Sequence, residues 1–171
     1  MGVHRLNHAV LFVSNLERSV AFYTDVFGFR RIPMTPDGFR GAAFLQAPDS
    51  TNDHDLGLFE VAGAGPSGAG RATVGLYHLA WEVDTLDELE RLAVKLTEAG
   101  ALAGSSDHGT TKSLYGKDPD WLEFEVVWLI PKDLLTDDAL AARKRIGPLD
   151  LRREKERYGA QTRGGVGISV S

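Results

Sequence analysis

The sequence has no cysteine among its 171 residues. Disulfide bonds, thiolate-bound zinc or iron–sulfur centres and a catalytic thiol are therefore excluded. It also has no apolar run near the ~20 residues that cross a bilayer, so we expect no membrane association. The first residues show no basic start followed by a long apolar core, which makes the cytoplasm the expected location. Because the net charge is -5, a broad nucleic-acid-binding surface is not expected either.

The chain contains an internal repeat. Leu6-Asn7-His8 opens one apolar run and Leu76-Tyr77-His78 opens another, so His8 and His78 lie 70 residues apart. At the same spacing, Leu16 and Leu86 each begin a stretch whose apolar residues recur at helical intervals. The repeat predicts two modules that each begin with a strand followed by a helix.

Short β-like runs separated by proline and glycine follow each helix. They lie near 29–34, 39–46 and 56–62 in the first half, and near 101–105, 110–116 and 121–129 in the second. Each half is therefore predicted to have the order β-α-β-β-β, and the fold class to be α+β. We place the modules at about 3–62 and 75–130, a Gly/Ala/Ser-rich linker at 63–74, and a largely helical tail at 131–171.

Three residues of the repeat could bind a metal ion. His8 and His78 hold equivalent positions near the start of the two first strands. Glu125 lies in the apolar run LEFEVVW, where a carboxylate is costly unless it is paired or bound to a metal. Two imidazoles and one carboxylate suit Fe(II) and oxygen chemistry, Mn(II) accepts the same ligands, and Zn(II) would suit hydrolysis.

The repeat, the two histidines and the final glutamate resemble the vicinal oxygen chelate superfamily over about residues 3–130. That superfamily includes glyoxalase I, fosfomycin-resistance proteins, bleomycin-binding proteins and extradiol catechol dioxygenases. The resemblance implies two βαβββ modules that form a partly closed mixed β-barrel around a divalent metal, with a C-terminal helical extension outside it. It also implies that His8, His78 and Glu125 are the metal ligands.

Within the superfamily, the stretch from Asp107 to Glu125 resembles the single-domain type I extradiol dioxygenases. Their pattern has a histidine, then Leu-Tyr, then Asp-Pro, then the ligand glutamate. The matching residues here are His108, Leu114-Tyr115, Asp118-Pro119 and Glu125. In such enzymes a histidine placed like His54 lies beside the metal and carries out acid–base chemistry.

The resemblance is incomplete at two positions. Trp121 stands where the pattern has glycine or proline, and Ser106 stands where a small or β-branched residue other than serine is usual. The first departure affects the geometry of the last turn, and neither removes a chemical group.

The resemblance therefore implies an Fe(II)-dependent ring-cleaving dioxygenase, with Mn(II) as an alternative metal, that acts on a small aromatic diol and O2. His54, His108 and Tyr115 are the expected catalytic residues, with His108 and Tyr115 hydrogen-bonded to the substrate oxygen at the mouth of the pocket. A homodimer is the expected assembly. The resemblance leaves open whether the ligands come from one chain or from two.

Two other functions compete with this one. A glyoxalase I-like lyase or isomerase would use four protein ligands, and Glu60, in the repeated Phe-Glu-Val, is then the first-half counterpart of Glu125. A metal-free module that binds or sequesters small molecules would keep the fold without the ligands. The presence of His8, His78 and Glu125 together argues against that third possibility.

Overall fold

The computed structural model describes residues 2–3, 5–34, 40–68 and 74–165. Residues 69–73 of the expected linker and 166–171 of the expected tail lie outside this part. The chain divides into two compact units. The first contains Met1–Ser67 together with the short segment Asp118–Leu122, and the second contains Gly68–Lys117 and Glu123–Ser171.

The first unit has the predicted β-α-β-β-β order. Its elements are β1 (Ala9–Val13), α1 (Leu16–Asp25), β2 (Arg30–Ile32), β3 (Ala42–Gln46) and β4 (Leu56–Glu60). They form a mixed sheet in the order β1-β4-β3-β2, in which β1 and β4 run parallel and the other pairs are antiparallel.

Helix α1 begins and ends where the sequence provides the necessary residues. The Asn15 side chain accepts a hydrogen bond from the Arg18 N–H at the first turn, and Gly28 adopts a φ of +77° three residues past the helix. Leu16, Val20 and Tyr23 are buried on one side, as the helical spacing predicts. The helix therefore packs on the sheet face that carries the buried Leu11 and Val13 side chains of β1.

The second unit repeats the arrangement. Its elements are β5 (His78–Glu82), α2 (Leu86–Glu98), β6 (Leu102–Asp107), β7 (Thr111–Lys117) and β8 (Glu123–Leu129), in a mixed sheet with the order β5-β8-β7-β6. Here too the first and last strands run parallel. Thr85 caps α2, and the fully buried leucines of that helix form its inward stripe: Leu86, Leu89 and Leu96.

The tail is helical and packs on the second unit. A short 3₁₀-helix at Lys132–Leu134 precedes α3 (Asp137–Ala142) and α4 (Leu151–Tyr158). The Lys155 ammonium of α4 lies 2.6 Å from carboxylate oxygens of both Asp87 and Glu90 on α2. The backbone after α4 continues to make contacts, because Gly165 donates to the Leu129 carbonyl at 2.9 Å.

The sequence-based fold class is confirmed, with one difference. Both halves have the βαβββ order and the C-terminal helices are present. In the described part of the chain, however, strand pairing joins the eight strands into two four-stranded sheets, where the resemblance implied one mixed barrel. No helix among the described residues has both the length and the apolar character to cross a bilayer.

Gly116 on β7 tests the packing of the second sheet. A Cβ at this position would lie 2.7 Å from Phe124 Cε2 and 2.8 Å from the Ala101 carbonyl oxygen, inside van der Waals contact. We expect Gly116→Ala to lower the free energy of unfolding by about 1–3 kcal/mol, because a filled core must shift to accept the methyl group. Urea denaturation measures the effect.

Gly104→Ala on the neighbouring strand β6 is the matched control. A Cβ there meets nothing within 4 Å, so its stability should stay close to that of the parent protein. Equal stability losses in the two variants would contradict the packing described for Gly116.

Candidate functional site

His78 and Glu125 meet in the second unit. Strands β5 and β8 are paired so that His78 is opposite Glu123 and Ala80 is opposite Glu125. Since side chains alternate between faces along a strand, His78 and Glu125 lie on the same face of the sheet. His78 Nε2 is 3.3 Å from Glu125 Oε2, and the two side chains are 27% and 15% exposed. The two predicted ligands in this unit are therefore adjacent and reachable by a small ligand.

A hydrogen-bonded chain extends from Glu125 along the same sheet. The Tyr115 hydroxyl donates to Glu125 Oε1 at 3.2 Å, because Tyr115 and Glu125 are opposite each other in the β7–β8 pair. His108 Nε2 lies 2.9 Å from the Tyr115 hydroxyl and 2.8 Å from Ser106 Oγ. The structure thus brings His108, Tyr115, Glu125 and His78 together. A proton can pass along this chain of donors and acceptors.

The His78 imidazole presents Nε2, not Nδ1, to Glu125. Its Nδ1 atom is buried and has no hydrogen-bond partner among the described residues, which is costly for a polar atom unless a ligand satisfies it. The neighbouring Tyr77 ring centroid is 4.8 Å from that of His78. The negative charge of Glu123 raises the pKa of the Tyr77 phenol, so Tyr77 is a neutral hydrogen-bonding group at pH 7.

The first unit brings together His8 and His54. Their ring centroids are 4.5 Å apart, and His54 also contacts the Phe44 ring at 5.0 Å. His8 Nδ1 is 2.8 Å from Asn7 Oδ1, and His54 Nδ1 is 2.9 Å from Asp53 Oδ2. Because these oxygens accept a hydrogen bond from Nδ1–H, both Nε2 atoms have a lone pair available.

Glu60 does not occupy the place that the sequence repeat indicates. In the β1–β4 pair, Val10 is opposite Gly57, and in the second unit the equivalent Ala80 is opposite Glu125. The structural counterpart of Glu125 is therefore Gly57, which has no side chain to bind a metal.

The Glu60 carboxylate instead belongs to the helix side of the sheet. Its Oε2 accepts a hydrogen bond of 2.7 Å from the Leu16 N–H at the start of α1. Glu60 is in register with Val13, whose side chain is buried on that side. A carboxylate at a helix N-terminus is stabilised by the unpaired N–H groups and the helix dipole, which explains the glutamate without a metal.

The three predicted ligands are divided between the two units, so their joint binding of a metal stays a prediction. Within the described residues, no group of three or more His, Asp and Glu side chains lies close enough to hold a metal ion. His78 and Glu125 are paired in one unit, and His8 is paired with His54 in the other. The donor types nevertheless fit a divalent metal, since imidazole and carboxylate are ligands for Fe(II), Mn(II) and Zn(II).

The Asp118-Pro119 pair of the sequence pattern has a structural role. Asp118 Oδ1 accepts from the backbone N–H groups of Asp120 and Leu122, at 2.8 and 2.9 Å, and its Oδ2 accepts from the Tyr23 hydroxyl at 3.1 Å. Burial raises the pKa of the Asp118 carboxyl, and these hydrogen bonds oppose that rise. The pair therefore shapes the turn before β8 and does not belong to the hydrogen-bonded chain at Glu125.

Trp121 has a backbone conformation that glycine adopts more readily. Its φ is +67°, and it is the one non-glycine residue with a positive φ in the described ranges. Glycine adopts this conformation without steric cost, and a bulky side chain rarely does. The sequence departure therefore leaves the turn formed but strained.

Sequence reasoning missed the groups that orient the histidines. Asn7 and Asp53 each precede a histidine directly and bind its Nδ1, and Ser106 binds both His108 and Tyr115. The dipeptides Asn7-His8 and Asp53-His54 were visible in the sequence. An amide or carboxylate beside a candidate ligand histidine is the signal that would have found them.

Comparisons with known proteins show relatives with different activities. The Catechol-2,3-dioxygenase of Bacillus subtilis (strain 168) is 32% identical over 122 residues, which are 67% of this chain and 38% of that enzyme. The chain therefore spans well under half the length of that relative. A Lactoylglutathione lyase of Neisseria meningitidis is also 32% identical, over 126 residues that cover 72% of this chain and 89% of the lyase.

The fold is shared with solved structures. A glyoxylase/bleomycin resistance protein/dioxygenase domain from Frankia sp. EAN1pec superposes with a TM-score of 0.61 at 22% identity, covering 74% of this chain and 92% of that one. The sequence also matches the family described as Glyoxalase/Bleomycin resistance protein/Dioxygenase superfamily over residues 5–126, which include both modules. This chain belongs to that superfamily.

Proposed function

We propose that the protein is a metal-dependent enzyme that cleaves the ring of a catechol-type aromatic diol with O2, beside the two hydroxyl groups. The observation that carries the proposal is the hydrogen-bonded chain from His108 through Tyr115 to Glu125. Ring cleavage needs groups that accept and return protons next to the metal. A four-ligand lyase has no need of such a chain.

The proposed ligands are His8, His78 and Glu125, with Fe(II) as the metal and Mn(II) as the alternative. Each has a feature that suits the role. His8 has Nδ1 bound to Asn7, which leaves Nε2 for a metal, His78 presents Nε2 to the Glu125 carboxylate, and Glu125 accepts a hydrogen bond from the Tyr115 hydroxyl. Bound Fe(II) would supply open coordination positions for the two diol oxygens and O2.

The remaining residues handle protons and hold the ring. Tyr115 already donates to Glu125 and can redirect its hydroxyl to a substrate oxygen, with His108 accepting or returning the proton. His54 is held by Asp53 through Nδ1, so its Nε2 is the atom that gives or takes a proton. Phe44 lies edge-on to His54 and offers aromatic surface to the substrate ring. The homodimer and the cytoplasmic location stay predictions.

A glyoxalase-like lyase is the second candidate. The observation that favours it is the match to the Neisseria lyase, of which the chain covers 89%. The position of Gly57 and the use of Glu60 as a cap for α1 count against it, since both remove the fourth carboxylate. For the same reason a three-ligand site with open positions is the better-supported arrangement.

Anaerobic reconstitution with Fe(II), followed by catechol, methylcatechol and dihydroxybiphenyl under O2, tests the proposed reaction. We expect a yellow ring-cleavage product and one O2 consumed per diol. Glu125→Gln and His78→Ala should lose stoichiometric metal and the activity together, because each removes a ligand. Metal content is measured by elemental analysis.

Metal-loaded protein that gives no coloured product with any of the three diols would contradict the proposal. Turnover of the glutathione hemithioacetal of methylglyoxal with Ni(II) or Zn(II) would then support the lyase.

Glu60→Gln separates the two candidates directly. We expect unchanged metal content and a fall in stability of about 0.3–1 kcal/mol, because the variant loses only the carboxylate charge at the start of α1. Elemental analysis and thermal unfolding measure the two effects. Release of metal from the Glu60→Gln variant would make Glu60 a ligand and overturn the three-ligand site.

Tyr115→Phe tests the hydrogen-bonded chain. The variant keeps the ring and loses the hydroxyl that joins His108 to Glu125, so kcat should fall roughly 100- to 10,000-fold, the range for general acid–base catalysis, with metal retained. Tyr158→Phe is the matched control, because the buried Tyr158 hydroxyl has no hydrogen-bond partner among the described residues. If both variants turn over at the parent rate, Tyr115 has no catalytic role.

A further inference from the structure

A buried lysine lies at the other end of the strand that carries Tyr115. Lys112 is near the start of β7, and its side chain is 1% exposed. Its ammonium nitrogen is 2.6 Å from Asp107 Oδ1, 2.9 Å from Glu154 Oε2 and 3.4 Å from the Gly109 carbonyl oxygen. The contacts with Asp107 and Gly109 are hydrogen bonds, and the contact with Glu154 is an ion pair.

Two of these contacts flank His108. Asp107 and Gly109 are its neighbours in the chain, and Asp107 Oδ1 also accepts from the Gly109 N–H at 2.7 Å. The Asp107 backbone is bridged to Gly147 of the tail by two hydrogen bonds of 2.9 Å. Polar contacts therefore hold the short turn that carries His108 on both sides of the histidine.

The tail contributes to this turn at three places. Glu154 of α4 supplies a carboxylate to Lys112, and Gly147 bridges Asp107. At Gly109, which has a φ of +80°, an added Cβ would lie 2.5 Å from the Ala139 carbonyl oxygen and 2.7 Å from Ala142 Cβ, so α3 approaches the backbone closely. All of these tail residues lie beyond residue 126, where the family match ends.

We propose that Lys112 and Glu154 are positioning residues that hold the His108 imidazole against the Tyr115 hydroxyl. The tail thereby completes the catalytic chain without touching it. The effect on turnover rests on the proposed ring-cleaving function, whereas the effect on the His108 side chain does not.

The chemistry of Lys112, Asp107 and Glu154 supports a role in holding His108 in place. A buried ion pair adds little to stability compared with well-packed apolar side chains, because both charges lose their hydration. Lys112 is packed near the Tyr158 ring, 5.8 Å from its centroid, where an apolar side chain would also fit. What an apolar residue lacks is the set of donors that fixes Asp107 and the Gly109 carbonyl on either side of His108.

Lys112→Met in the full chain tests the proposal. The side chain keeps its approximate length and loses its donors. Lys155→Met is the matched control, since Lys155 also ties α4 to the same unit, through Asp87 and Glu90, with no contact to the His108 turn. Imidazole ¹H–¹⁵N spectra of the metal-free protein, with His108 assigned by His108→Ala, report its tautomer and environment.

We expect the His108 resonances to shift or broaden in Lys112→Met and to stay unchanged in Lys155→Met. With Fe(II) bound and a catechol as substrate, kcat should fall roughly ten- to hundredfold for Lys112→Met with metal content unchanged, as misplaced catalytic groups typically cause. If no variant cleaves catechols, the spectra still decide the positioning role.

Glu154→Gln covers the case in which Lys112→Met does not fold. It removes one charge and leaves Lys112 with Asp107 and the Gly109 carbonyl. A smaller change in the same His108 resonances supports the proposal. The proposal would be overturned if the His108 resonances matched those of the parent protein in every folded variant among Lys112→Met and Glu154→Gln.

Discussion

The parallel pairing of the first and last strand in each module is the constraint on which the candidate site depends. A parallel pair fixes which residues are neighbours, and the alternation of side chains then decides which of them share a face. In the second unit the pairing sets His78 opposite Glu123 and Ala80 opposite Glu125, which places the imidazole and the Glu125 carboxylate in contact. The neighbouring antiparallel pair adds Tyr115 opposite Glu125. The register of three strands therefore sets the positions of two proposed ligands and of the hydroxyl that donates to one of them.

The same pairing places different side chains at equivalent positions of the two modules. The repeat spacing is 70 residues in the first strands, from Val10 to Ala80, and 68 residues in the last strands, from Gly57 to Glu125. The first module therefore presents a glycine where the second presents a carboxylate. Its nearby glutamate, Glu60, faces the opposite side of the sheet and caps α1. In the proposed three-ligand site, this asymmetry would leave coordination positions open on the metal.

Much of the fold could be predicted from the sequence because its signals are local. Apolar residues at helical intervals indicated α1 and α2, and in the structure Asn15 and Thr85 cap these two helices. The match between Glu60 and Glu125 failed because a repeated Phe-Glu-Val carries no information on register. Register is set by hydrogen bonds between strands far apart in sequence, and a shift of one residue moves a side chain to the other face.

The burial of Lys112 and Glu154 is a second feature that the sequence alone does not predict. A lysine on a strand usually indicates a solvent-exposed face. Glu154 lies in a charged stretch, whose composition predicts the exposed face of a helix. Only the packing of α4 on the sheet makes both side chains buried and brings the ammonium group to within 2.9 Å of the Glu154 carboxylate. Because a buried charge must be paired, the tail and the His108 turn cannot be altered independently. A segment beyond residue 126, where the family match ends, is in this way connected to the turn that carries His108.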